Sequence, residues 1–492
     1  MSELIAKANV YDPNKKHLKA NEFILYLVAV FFYTMMTGTV GSYRNDYLVN
    51  VLALSSENVT LFNTLTSIIP FVLNIFITIY IDGRRVGKGG KFRPLALLVA
   101  IPTGIFLVLS FYAPSGLTGT MLMIYLVTVS VAWAVCTNFG DTVNKVAIVL
   151  TPNLKERDTV MSFRGIVSAV GNSAPLVVEL VIAFMVKDKG LRYILVASLC
   201  SVFGIITMLL GMKTVRERIT YSNERKNPVE GFADILKNKY SWTIIFSEFL
   251  KSFRGVSTYM GVFLAEALLG PGKFLLFGLP TGIGTAVGML VINFLLKKFN
   301  SKQLYIASGI YSVIANIVAF GIGYTYFNSP SPVLQIVFVA SLFLIGLQFG
   351  ASNLLPTMFQ ADVLETIELK TGKRLDASLP FIIGIGTMIS GTIASALAPQ
   401  VLYGTKVPII EYVQAVDGVA QEQSLHTKIM LLFFYTIVHG IMMFLAGVPF
   451  FFYKLTGKTK EDIHNAVLEQ RARLGADEKT ADASVTVEED AE

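Results

Sequence analysis

The sequence predicts an all-α membrane protein with twelve transmembrane helices in two six-helix halves. Three observations carry this expectation. Apolar residues make up 53% of the 492 and charged residues only 15%, with a mean hydropathy of +0.60; a soluble domain carries closer to ~25% charge. Apolar runs recur along the whole chain, and about 20 such residues suffice to cross a ~30 Å hydrocarbon core. The runs are continuous, without the period-two alternation of a membrane β-barrel. Lysine and arginine gather in the connections between them.

The runs fall at about 22–43, 59–81, 94–113, 119–148, 164–186, 192–212, 241–266, 273–296, 302–326, 332–358, 379–403 and 427–454. The polar segment 213–240 carries seven cations and Pro228, and divides the runs six and six. This gives an N-terminus 1–21, a first half 22–212, a central loop 213–240, a second half 241–454 and a tail 455–492. Cationic loops stay in the cytoplasm because translocating them is costly. With the N-terminus inside, 31 of the 41 lysines and arginines fall in inner segments and 6 in outer ones. The expected topology is multi-pass in the cell (inner) membrane, both termini cytoplasmic.

Several classes are set aside. The net charge of +7 lies beside the spans, so it reads as this orientation bias and not as a nucleic-acid footprint. Cys136 and Cys200 lie inside apolar runs as small packing residues, so no disulfide or metal site is expected. The first 22 residues are polar, without a signal-peptide core. The four histidines (His17, His426, His439, His464) are scattered, and no nucleophile–base arrangement is evident, so an enzyme is not expected. No cofactor is expected beyond a coupling ion, proton or sodium.

The connection Asp82-Gly83-Arg84-Arg85-Val86-Gly87-Lys88-Gly89-Gly90-Lys91-Phe92-Arg93-Pro94 holds five cations, one acid and four glycines. It resembles the helix-two-to-three loop of the glycoside-pentoside-hexuronide:cation symporters, the melibiose-permease-like family of the major facilitator superfamily; Leu95 stands where that family has Trp. Further loops agree in order. Thr151-Pro152-Asn153-Leu154-Lys155-Glu156-Arg157 followed by Arg164 resembles the helix-four-to-five loop. Ala361-Asp362-Val363 with Thr371-Gly372-Lys373-Arg374 resembles the loop after helix ten, and Asp46 to Ser55 resembles a motif near helix one. The resemblance implies the major facilitator fold, and alternating access between two halves. It implies gating or loop-bracing roles for Asp82, Arg85, Lys91, Arg93, Arg157, Arg164, Asp362 and Arg374; the bland alternative is that these charges only orient the chain.

A charge at mid-membrane costs roughly 2.5–3.5 kcal/mol on insertion scales, so each one needs a partner or a task. Asp141 and Lys145 are four apart in span four and can share a face. Asp141 reads as a sugar-binding and cation-coupling carboxylate, implied by the resemblance, or as the structural partner of Lys145. Trp133 and Thr137 lie one to two turns back and suit a sugar's C–H face and hydroxyls. In span seven, Glu248, Lys251 and Arg254 recur at three-residue spacing and leave a surplus positive charge. They read as an internal network with Glu179, or as a dock for a uronate or sulfonate. Gln348 of span ten offers neutral hydrogen bonding, and Glu179 is a second candidate for carrying a coupling proton.

Departures from the family concern coupling. Its paired span-two aspartates fall near Pro70 and Asn74, and no acid lies between Glu57 and Asp82. The span-eleven lysine is replaced near Ile389 and Ser390, and a sugar-binding Asp of span one near Thr34. The expectation is a secondary transporter of a sugar, glycoside or uronide, coupled to a proton in preference to sodium. Its partners are a small carbohydrate and the bilayer, and it works as a monomer. The alternatives are a lysophospholipid or other amphipathic-solute transporter of the same fold, and a non-transporting receptor or sensor.

Overall fold

The structure, a computed structural model, describes residues 16–83, 89–151, 153–218, 231–270, 273–371, 378–405, 409–416, 420–463, 465–467 and 469–470; the side chains at 82, 83, 148, 154, 155, 157, 158 and 162 are also outside that description. It is all-α. The helices are α1 (Ala20–Asp46), α2 (Ser56–Gly83), α3 (Arg93–Leu109), α4 (Gly119–Gly140), α5 (Thr142–Val149), α6 (Leu154–Ala183), α7 (Lys189–Thr214) and α8 (Phe232–Lys237). There follow α9 (Lys239–Ser252), α10 (Gly255–Leu269), α11 (Phe274–Leu295), α12 (Ser301–Asn328), α13 (Pro332–Thr371), α14 (Ser378–Tyr403), α15 (Leu425–Phe433) and α16 (His439–Gly447).

Among the described residues, ten helical stretches are long and apolar enough to cross a membrane. The two remaining expected spans differ in form. The third is the 17-residue α3, which opens at Pro94 in its first turn, where a missing N–H costs nothing. The seventh is broken into α9 and α10, of 14 and 15 residues. Helix starts follow side-chain chemistry: Asp188 accepts from the Leu191 N–H, and Asn300 with Gln303 forms a capping box.

The chain packs into two compact units. The first comprises Met1–Arg225, Tyr259–Phe277 and Ser395–Leu431. The second comprises Lys226–Thr258, Gly278–Ala394 and Leu432–Glu492. These bounds differ from the sequence halves at the seventh, eighth, eleventh and twelfth spans, whose parts divide between the units.

In the first unit α1 lies against α6 and α7, and α3 against α4 and α7. The approach of α1 to α6 is backbone-close. A Cβ at Gly38 would sit 2.2 Å from the Asn172 carbonyl oxygen, so only glycine fits. Buried Glu22 at the start of α1 holds Arg218 at 2.7 and 2.9 Å and accepts from the Arg216 N–H, which anchors the chain beyond α7 to the start of α1. In the second unit α12 packs on α13 and α16, and α9 on α16. There a Cβ at Gly288 of α11 would lie 2.2 Å from the Leu347 carbonyl oxygen of α13. Large apolar side chains such as Leu98, Phe184 and Leu290 stand exposed, which in a membrane protein is the lipid-facing surface.

Candidate functional site

Polar chemistry gathers in the first unit where α1 ends, α7 begins and α10 ends. The backbone of Tyr47–Val51 widens into a π-helical turn after Asp46, an irregularity that often marks functional positions. Asp46 is fully buried and Lys189 nearly so. The Lys189 ammonium lies 2.8 and 3.0 Å from the two Asp46 carboxylate oxygens and 2.6 Å from Glu266 Oε1. Asp46 also accepts from the Tyr193 hydroxyl and from Asn50 Nδ2 at 2.7 Å. Its two oxygens are therefore saturated with donors. Glu266 has one strong partner, and its buried Oε2 has none among the described residues.

The connection after α14 closes on the same place. Tyr412 Oη accepts from Asn50 Nδ2 at 3.1 Å, the Ala415 N–H donates to Asn50 Oδ1 at 3.1 Å, and Gln414 Nε2 donates to the carbonyls of Val49 and Leu54. Phe263 and Tyr412 meet edge to face at 5.0 Å. Beside them Glu266, Gln421, Glu422, Gln423 and Lys428 help line a cavity of about 160 Å³. A second buried pair, Glu179 with Arg192 at 3.7 Å, lies in the same unit. Two carboxylates around one ammonium make a bond that reversible separation of α10 from α1 and α7 can break and re-form.

The sequence reading singled out none of Asp46, Lys189 and Glu266 as a site. The available signal was the cost of an acid at the end of an apolar run, which applies to Glu266. The contact itself joins residues 143 positions apart, from Asp46 to Lys189, so no local pattern announces it.

The residues expected to bind substrate are placed as follows. Asp141 sits between α4 and α5, exposed, and accepts from Asn144 Nδ2 at 2.9 Å. Among the described residues it forms no ion pair with half-buried Lys145. The Lys145 N–H does donate to the Asp141 carbonyl at 3.3 Å, so the helical turn is present and the Asp141 carboxylate is taken by Asn144 instead. Trp133 is buried in the first unit's core. Thr137 Oγ1 donates to its own helix at Trp133 and Ala134, and its carbonyl accepts from the Tyr33 hydroxyl at 2.8 Å. Thr34 Oγ1 donates to the carbonyls of Val30 and Phe31 and faces Gly171, where α1 and α6 meet.

In the second unit, Lys251 Nζ is 2.5 and 2.6 Å from the two oxygens of Glu248. The Arg254 guanidinium stacks 4.8 Å over the Phe349 ring. Gln348 is buried, and its Oε1 has no partner among the described residues. Glu179 is thus held by Arg192 in the first unit, while Glu248 is held by Lys251 in the second.

Of the gating residues, Arg85 and Arg374 and the side chains of Asp82 and Arg157 lie outside the described residues. The others make the following contacts. Glu217 accepts from the backbone N–H groups of Lys91, Phe92 and Arg93 at 2.7, 2.9 and 2.6 Å. Arg93 in turn donates to the carbonyls of Met212 and Lys213, so the loop before α3 is tied to the end of α7. Arg164 reaches the Asn144 carbonyl at 3.4 Å, and Asp362 pairs with Lys460 at 2.7 Å. Glu156 is half-buried, which pushes its carboxyl up. The Thr151 hydroxyl and the backbone N–H groups of His17 and Leu18 donate to it and bring it below the ordinary carboxylate value.

Comparison with known proteins agrees with this architecture. A family model described as MFS/sugar transport protein matches residues 25–457. An uncharacterized symporter, YjmB, of Bacillus subtilis (strain 168) is 25% identical over 78% of this chain and 81% of the relative. A putative glycoside/cation symporter, YagG, of Escherichia coli (strain K12) is 23% identical over 87% and 90%. The isoprimeverose transporter of Lactiplantibacillus pentosus is 22% identical over 78% and 81%. Among solved structures, a D-xylose-proton symporter superposes with a TM-score of 0.58 at 18% identity, over 89% of this chain and 98% of the other. The xylose transporter XylE of E. coli, in a partially occluded inward open conformation, also gives 0.58, at 14% identity over 88% and 96%. The protein is a multi-pass membrane transporter of the major facilitator fold, not an enzyme, and it belongs to the MFS/sugar transport protein family.

Proposed function

We propose that the protein is a secondary active transporter that moves a sugar, glycoside or uronide across the cell membrane by alternating access, with both termini in the cytoplasm. The observation that carries the mechanism is the Asp46–Lys189–Glu266 cluster. The cationic loops assign all three residues to the outer face. There the cluster acts as a lock: closed, it seals the ends of spans one, six and seven; parted, it hydrates three charges and admits substrate. The sugar as cargo is supported by the relatives described as glycoside and isoprimeverose transporters. The candidate sugar contacts are Trp133, Thr137, Thr34, Asp141 and Lys145 in the first unit and, separately, Gln348, Lys251 and Arg254 in the second.

Coupling is to a proton and not to sodium through span two. A sodium site wants anionic and carbonyl oxygens, and span two offers no acid between Glu57 and Asp82. Asp141 and Glu179 remain the candidate proton carriers. The test is uptake of labelled glycosides into proteoliposomes under separately imposed sodium and pH gradients. Stimulation by an inward proton gradient is expected. Sodium-driven uptake that vanishes in Asn74→Ala would refute the coupling, and no uptake or counterflow of any sugar would refute the function.

A further inference from the structure

The starts of α1 and α6 enclose a cavity of about 460 Å³ in the first unit, at the opposite end of α1 from the lock. Hydrogen bonds build its frame. Asn153 caps α6 by accepting from the Glu156 N–H at 3.1 Å. Glu156 in turn accepts from the His17 and Leu18 N–H groups, each at 3.1 Å, which fixes the segment before α1 against the start of α6. The Thr151 hydroxyl also donates to this carboxylate. The one acid lining the cavity is therefore already engaged.

The cavity is polar at one end and apolar at the other. Leu18, Phe23 and Val160 form an apolar wall, and Phe163 meets Phe23 edge to face at 5.8 Å. Thr159, Phe163, Ile166 and Val170 follow one another at steps of four, three and four, so they share one face of α6. All four are exposed, and the wall runs on as an open strip along the span. Lys16 lines the cavity and Lys19 stands at the N-cap of α1, both exposed. Among the described residues neither forms an ion pair. Two ammonium groups beside an apolar slot that leads down a membrane span match the polarity of a phospholipid from head to tail. The cytoplasmic leaflet carries anionic lipids, and basic pockets beside membrane helices hold their headgroups.

We propose that this cavity binds an anionic phospholipid of the cytoplasmic leaflet. The headgroup phosphate pairs with Lys16 and Lys19, and an acyl chain passes Phe23 and follows Phe163 and Ile166 along α6. A soluble phosphate would satisfy the lysines but leave the apolar strip uncovered. The lipid is bound at the start of α1 and α6 and is not the cargo. This rests on the reading of the N-terminus as cytoplasmic, and not on what is transported.

The experiment titrates the purified full-length protein, delipidated in a neutral detergent, with phosphatidylglycerol, with phosphatidylcholine of the same chains and with glycerol 3-phosphate. Native mass spectrometry counts the bound molecules. Detergent removes both leaflets, so an inverted topology would not alter the readout. Phosphatidylglycerol should form a first adduct at least tenfold more tightly than phosphatidylcholine, since each lysine near a membrane surface contributes roughly fivefold. Lys16→Gln combined with Lys19→Gln should bring phosphatidylglycerol to the level of phosphatidylcholine, with the lipid-free melting temperature unchanged. Ala20→Trp, which fills the cavity from an exposed position, should weaken phosphatidylglycerol at least tenfold. The site is refuted if the two lipids bind wild type equally, if the lysine variant keeps the full preference, or if Ala20→Trp binds phosphatidylglycerol like wild type. Displacement of phosphatidylglycerol by an equal concentration of glycerol 3-phosphate would also overturn it, by showing a site for free anions.

Discussion

Replacing Lys189 by methionine tests the lock most directly. The side chain keeps nearly the same length, but its ammonium disappears from between Asp46 and Glu266. Removing one partner of a buried ion pair costs about 3–5 kcal/mol, because the other charge stays buried without compensation. Here two acids are stranded unequally: Asp46 keeps Tyr193 and Asn50 as donors, whereas Glu266 keeps no described partner. In the outward-open state both carboxylates meet water and the penalty vanishes. A 3 kcal/mol shift corresponds to roughly a hundredfold change in an equilibrium constant, so the outer face should open at least that much more often. The assay is the labelling rate of Ala415→Cys, buried against Asn50, by a membrane-impermeant maleimide in a Cys136→Ser, Cys200→Ser background. Lys189→Met should raise the rate by on the order of a hundredfold. Adding Asp46→Asn and Glu266→Gln should slow it again, since neutral amides need no cation. Unchanged labelling in a folded Lys189→Met protein would refute the lock.

Two further predictions concern stability. Because its donors depress the Glu156 carboxyl in the folded state, the carboxylate stabilises the fold above the ordinary carboxylate value of 4.5, and this contribution is lost as pH falls through the lower, folded value. Glu156→Gln should therefore melt earlier than wild type at pH 7, with the difference closing under acid conditions; a constant difference across pH would contradict it. Gly288→Ala should destabilise by about 1–3 kcal/mol, the range for forcing atoms into a packed interface, since its Cβ would meet the Leu347 carbonyl. Gly278→Ala, with nothing within 4 Å of its Cβ, should melt like wild type.

Burial of long apolar runs was legible in the sequence because the bilayer sets a length that composition alone can satisfy. The stretches from Ala20 to Val51 and from Lys189 to Thr214 lie close to where hydropathy put them. Sites followed a different logic. The lock depends on the end of α1, the start of α7 and the end of α10 meeting at one place, and no window of sequence contains that information. Register brings charges onto one face of a helix but does not decide which donor a carboxylate takes. Glu248 and Lys251 lie three apart within α9 and do pair. Asp141 and Lys145 lie four apart across the junction of α4 and α5, and Asp141 turns instead to Asn144. Arg254 follows Lys251 by the same three residues, in the turn between α9 and α10, and its guanidinium stacks over Phe349. A helix that continued through Phe253 would have folded that guanidinium into a stripe with Glu248 and Lys251. Instead Lys251 takes both oxygens of Glu248, and the turn between the two helices lays the Arg254 guanidinium over the Phe349 ring.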